Sequence, residues 1–63
     1  MKRKDLIRHL IKNKCVFIRE GANHSVFFNP LIKRTSTLPR HKEIDNFLAK
    51  KICRDLGLEP LIK

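Results

Sequence analysis

Apolar residues in the first dozen positions recur at helical spacing. Leu6, Ile7, Leu10 and Ile11 share one arc of a helical wheel between Lys2 and Asn13, with Arg8 and Lys12 opposite, which predicts an amphipathic helix. Asp5 lies within helical reach of Arg8 or His9, and His9 borders the apolar arc, where a solvated ring is expected. The pattern then changes period. Cys15 to Arg19 and His24 to Phe28 are short runs rich in Val, Phe and Ile, and each suits a strand. Alternation puts Val16 and Ile18 on one face of the first run and Cys15 and Phe17 on the other. In the second, Val26 and Phe28 share the parity of His24, whereas Ser25 and Phe27 point the other way. Such a sheet is apolar on both sides: one face is expected to take helices, and the other is a candidate surface for a partner or ligand.

Turn residues join these runs. Gly21, Ala22 and Asn23 read as a tight turn that closes the first two runs into a hairpin with His24 at its mouth. Asn29-Pro30 marks a second turn, and Ile32 to Leu38, containing Thr35 and Thr37, reads as a third strand stopped by Pro39, which cannot donate to the ladder. Arg40 to Glu43 then leads into a second helix with Asp45 or Asn46 as N-cap. Leu48, Ala49, Ile52, Cys53 and Leu56 form its apolar arc, and Lys50, Lys51 and Arg54 its polar one. Gly57 is placed to stop this helix, and Pro60 follows it. Phe47 falls among the charges of the first turn, where it either covers the sheet edge or contributes to a binding surface, packing being the favoured reading. The predicted class is α+β: one domain over residues 1–63 in the order α-β-β-β-α, with two helices on one face of a three-stranded antiparallel sheet. Double-stranded-RNA-binding domains use that architecture.

Charge changes the picture more than size does. A chain of 63 residues buries only about 60% of its unfolded surface, yet 41% hydrophobic content with two Gly and three Pro indicates a folded globule. Fifteen Lys and Arg against six Asp and Glu leave a net charge of +9, so the expected partner is anionic. The excess sits in residues 1–14 (+5) and 32–43 (+3), on either side of the hairpin. Cys15 and Cys53 belong to no Cys-x-x-Cys pair and read as buried reduced thiols of a cytoplasmic protein. Arg8, His9 and Lys12 interrupt the N-terminal apolar pairs, so neither a signal-peptide core nor a membrane span is expected.

Elimination narrows the chemistry. His9, His24, His41, Cys15 and Cys53 show no zinc-ligand spacing, and neither a metal nor another cofactor is expected. Ser25 beside His24 is no nucleophile pair, because neighbours on a strand point to opposite faces. The six acids are scattered, whereas two-ion phosphodiester cleavage wants several together. A histidine in a basic field remains. RNA can be cleaved by its own 2′-hydroxyl attacking the adjacent phosphorus, so an enzyme need only move protons and stabilise negative charge. His24 suits the proton transfer, as acid or base. Lys2, Arg3, Lys4, Lys33, Arg34, Arg40 and Lys42 form the candidate phosphate-binding surface. His41, ahead of the second helix, is more readily a backbone or phosphate contact than a catalyst. Two readings without chemistry stay open: an RNA-binding module in which His24 only contacts phosphate or ribose, and an interaction subunit that uses the second sheet face.

The ordered set of motifs resembles the HicA toxins of type II toxin–antitoxin systems over nearly the whole chain. It comprises the first helix, Arg19-Glu20-Gly21 with His24 beyond it, Asn29-Pro30, Pro39-Arg40-His41-Lys42-Glu43-Ile44, and the helix ending Leu48-Ala49-Lys50-Lys51-Ile52-Cys53-Arg54-Asp55-Leu56-Gly57-Leu58. The resemblance implies a double-stranded-RNA-binding-domain-like fold, a metal-independent messenger-RNA endonuclease and neutralisation by a HicB antitoxin. It also implies that the catalytic histidine is His24. Two departures stand out: Ala22 and Asn23 separate Gly21 from His24, where the commoner form sets its histidine after a Gly-Ser pair, and Pro30 to Arg34 lacks the Gly often found there.

Overall fold

The computed structural model describes residues 1–21 and 23–59. Its elements are α1 (Arg3–Lys12), β1 (Val16–Glu20), β2 (His24–Asn29), β3 (Arg34–Pro39) and α2 (Asn46–Asp55). The strands form one antiparallel sheet with β2 in the centre. The α-β-β-β-α order is that of the double-stranded-RNA-binding domain.

The core lies between the helices and one face of the sheet. Leu6 and Leu10 of α1 and Ala49, Ile52, Cys53 and Leu56 at α2 meet Phe27 of β2 and Leu38 of β3, joined by Cys15 and Ile44. The apolar arcs read from the sequence are the buried ones, except that Ile11 is exposed. Cys15 and Cys53 are both buried and form no disulfide. Burial pushes the Cys15 thiol above its ordinary value, and Cys53 adds to the shift.

Both helices end in the same hydrogen-bond pattern. In α2 the Gly57 N–H donates to Arg54 O at 3.0 Å and the Leu58 N–H to Cys53 O at 2.8 Å, with Gly57 at φ 71°. In α1 the Lys14 N–H donates to Ile11 O at 2.9 Å and the Cys15 N–H to Leu10 O at 3.0 Å. There Lys14 takes the left-handed position, at φ 68°. Gly57 therefore stops α2 as expected, while Pro60 lies outside the described residues. Asp45 stands at the N-cap of α2, but its side chain makes no capping bond.

Several expectations need correction. The register between β1 and β2 shifts between Phe17 and Arg19, leaving Ile18 as the extra residue of a bulge. Val16 faces Phe28 and Arg19 faces Val26, so Arg19, not Ile18, shares the face of Val16. The third strand begins at Arg34 rather than Ile32, because Leu31 to Lys33 form a turn with Lys33 at φ 55°. Phe47 is 79% exposed and does not pack over the sheet. It projects from the first turn of α2, away from the apolar arc that begins one residue later.

Candidate active site and basic cleft

His24 opens β2, where its cross-strand partner is Pro39. It shares the parity of Val26 and Phe28 and faces away from the helices. The ring is exposed and makes no hydrogen bond or ion pair among the described residues. Its backbone is held: the Gly21 N–H donates to His24 O at 2.6 Å. Ala22, the central residue of the predicted turn, lies outside the described residues.

The face beneath His24 is fixed by a polar network. Ser25 points inward and is 2% exposed. Its Oγ accepts from Arg3 Nη2 at 2.7 Å and donates to Glu20 Oε1 at 3.1 Å. Arg3 Nε donates to Pro39 O at 3.0 Å. Arg40 sets both Nε and Nη2 on Glu20 Oε2. That fork is the main reason the Glu20 carboxyl titrates below its ordinary value, with the Ser25 bond and the charges of Arg40 and Arg3 helping. Four elements or their ends thus meet within one residue of His24 or of its cross-strand partner.

Beside the network lies a cleft of about 570 Å³ lined by Lys2, Arg3, Lys4, Arg40, Lys42 and Glu43. Backbone pairing builds it. Arg3 N–H donates to Lys42 O at 2.8 Å and Ile44 N–H to Met1 O at 2.8 Å, so the start of α1 and the β3–α2 connection run side by side. The Met1 amine is 3.4 Å from Glu43, so the acid of the cleft has a cation of its own. Lys2, Lys4 and Lys42 are exposed and make no ion pair among the described residues. Arg3 and Arg40 are engaged within the protein.

The structure brings five of the predicted phosphate-binding residues together and separates two. Lys2, Arg3, Lys4, Arg40 and Lys42 line the cleft at the His24 end. Lys33 and Arg34 stand at the other end of the strands, because Asn29 pairs with Arg34 and His24 with Pro39. A six-residue strand is about 17 Å long. Arg34 there lies near enough to Asp55 to help lower its carboxyl, an effect led by Lys51. His41 is exposed in the connection between Arg40 and Lys42. Glu20 and Ser25 were missed as site residues. The available signal was a polar Ser25 at the parity of Phe27, a position that needs a buried partner.

The other acids are dispersed, Asp5 beside Arg8 at 3.9 Å and Asp55 on Lys51 at 3.0 Å. Among the described residues no three His, Cys, Asp or Glu side chains converge as metal ligands, and no helix is long and apolar enough to cross a membrane. A family model described as "HicA toxin of bacterial toxin-antitoxin" matches residues 3–58. The chain belongs to the HicA toxin family. Neither the curated proteins nor the solved structures compared with it give a match. Membership in the HicA family implies an antitoxin partner, and the match spans every element from α1 through the glycine stop of α2.

Proposed function

We propose that this HicA-family chain is a metal-independent endoribonuclease that cleaves messenger RNA in the cytoplasm and is neutralised by a HicB-like antitoxin protein. The observation that supports it best is the pairing of an exposed, unengaged His24 ring with a lysine-rich cleft at the same end of the sheet. His24 serves as the acid or base. In the base role it takes the proton from a 2′-hydroxyl, whose oxygen bonds to the adjacent phosphorus as the bond to the 5′-oxygen breaks; the departing oxygen takes its proton from water or another donor. In the acid role the same ring protonates the 5′-oxygen. Lys2, Lys4 and Lys42 hold flanking phosphates and stabilise the added negative charge. No cofactor enters this scheme.

Incubating single-stranded RNA with the protein in EDTA, beside a His24→Ala variant with unchanged circular dichroism, tests the proposal. Expected are fragments ending in a 2′,3′-cyclic phosphate and a 5′-hydroxyl, lost in the variant. RNA left intact by both proteins, with binding retained, would replace the nuclease with an RNA-binding module of the same fold.

A further inference from the structure

We propose that Glu20 is a positioning residue: with Ser25, Arg3 and Arg40 it clamps the mouth of the β1–β2 hairpin and thereby fixes the face of the sheet from which the His24 side chain projects. The proposal rests on the reading of His24 as the proton carrier. Ser25 and Pro39, which flank His24 along β2 and across to β3, are each tied to another element. Ser25, next in the chain, is bonded to Arg3 of α1 and to Glu20 of β1. Pro39, opposite His24, receives Arg3 Nε. Glu20, opposite Ser25, receives the fork of Arg40, the residue after β3.

Register explains why such a clamp matters. Successive side chains on a strand alternate between faces, so a slip of one residue in β1 would turn Glu20 away from Ser25 and Arg40 and undo the clamp. β1 invites a slip, because the bulge at Ile18 already shifts the pairing once and all five of its residues are exposed. Holding the Ser25 hydroxyl inward at 2.7 Å from Arg3 holds the Cβ of His24 outward. The clamp also accounts for an acid at this place. A carboxylate set against Arg3 and Arg40, both of which line the cleft, lowers affinity for phosphate, so its contribution lies in what it holds. Removing its charge should therefore move binding and turnover in opposite directions.

Glu20→Gln and Arg40→Lys carry the test in the full chain. The lysine keeps the charge at 40 but not the two-pronged contact, and leaves the Ser25–Glu20 bond in place, so it answers independently of any folding defect in Glu20→Gln. Turnover of a single-stranded RNA oligonucleotide is measured in EDTA as kcat and KM separately. His24 ring resonances, assigned by their loss in His24→Asn, are followed without RNA. We expect kcat to fall at least tenfold in both variants, KM to stay level or fall in Glu20→Gln, and the ring resonances to shift and broaden in both. Unmoved ring resonances with kcat within twofold of the parent would overturn the clamp, as would a rise in KM alone. If the parent leaves RNA intact, the nuclease reading fails, and the ring resonances by themselves decide the clamp.

Discussion

The side-chain amide of Asn29 donates to the carbonyl of Leu56 at 2.7 Å, and the Asn29 Oδ1 accepts the Leu31 N–H at 3.0 Å. One buried residue at the end of β2 thus satisfies the carbonyl of the α2 C-cap residue and shapes the turn into β3. Replacing it by Ala removes both partners, and a buried group left unsatisfied costs about 1–3 kcal/mol. In a domain of this size the melting temperature of Asn29→Ala should drop by roughly 5–15 °C. Asn29→Asp should be no better, since a carboxylate cannot donate to Leu56. Thermal melts of the two variants check this, and an unchanged Tm for the alanine variant would remove the tie from the account.

The two helix ends predict opposite responses to glycine. Lys14 holds a left-handed backbone that costs an L-residue about 1–2 kcal/mol, of which glycine's greater unfolded freedom returns roughly 0.5–1 kcal/mol. Lys14→Gly should thus stabilise the protein by up to about 1 kcal/mol. By the same balance, Gly57→Ala should destabilise it by up to about 1 kcal/mol through the backbone. A methyl at 57 would also come within 2.5 Å of Ile32 Cδ1, a mobile side-chain end that can swing aside. Urea titrations of both variants measure the difference.

Acid should loosen the fold through Glu20 and Asp55. Both carboxyls titrate below their ordinary values, Glu20 chiefly through Arg40 and Asp55 chiefly through Lys51. A lowered folded-state value means that the stabilisation is complete above the unfolded value, about 4, and is lost as pH falls through the folded one. Melting temperature should therefore decline below about pH 4, and less steeply in Glu20→Gln combined with Asp55→Asn. Identical acid profiles for parent and double variant would count against both ion pairs.

Phosphate contacts should map to the cleft rather than to the whole basic surface. On the proposed function, Lys4→Gln with Lys42→Gln should weaken RNA binding and reduce the slope of log K against log salt by about 2, roughly one for each lysine. Lys33→Gln, at the far end of the strands, should change that slope less. Fluorescence anisotropy over a salt series discriminates them, and equal effects would move the RNA path to the other end of the sheet.

Phe47 supplies a control on packing. At 79% exposure, its replacement by Ser should shift stability by no more than about 0.5 kcal/mol, as measured by urea unfolding. A loss of several kcal/mol would restore the packing role that its sequence position suggested.

The elements whose formation depends on near neighbours were legible. Spacing of Leu6 and Leu10, and of Ala49, Ile52, Cys53 and Leu56, marked the faces that bury, since helical periodicity and apolar burial are written in the local order of residues. Gly57 announced its turn because few other residues enter the left-handed region at low cost. Lys14 and Lys33 enter the same region without any composition signal, and the bulge at Ile18 reverses a face without a Gly or Pro to mark it.

By itself, then, the sequence determined the order of elements, the buried stripes, the excess positive charge and the exposed strand position of His24. Only the tertiary structure decided which charges act together. Ser25 lies 22 residues from Arg3, and Arg40 lies 20 from Glu20, so no periodicity links them. Their meeting depends on how α1 is laid across the strands and on the register of β1, both set by the packing of the whole core. The same packing divided one basic surface into a cleft at the His24 end of the sheet and a separate pair, Lys33 and Arg34, at the far end.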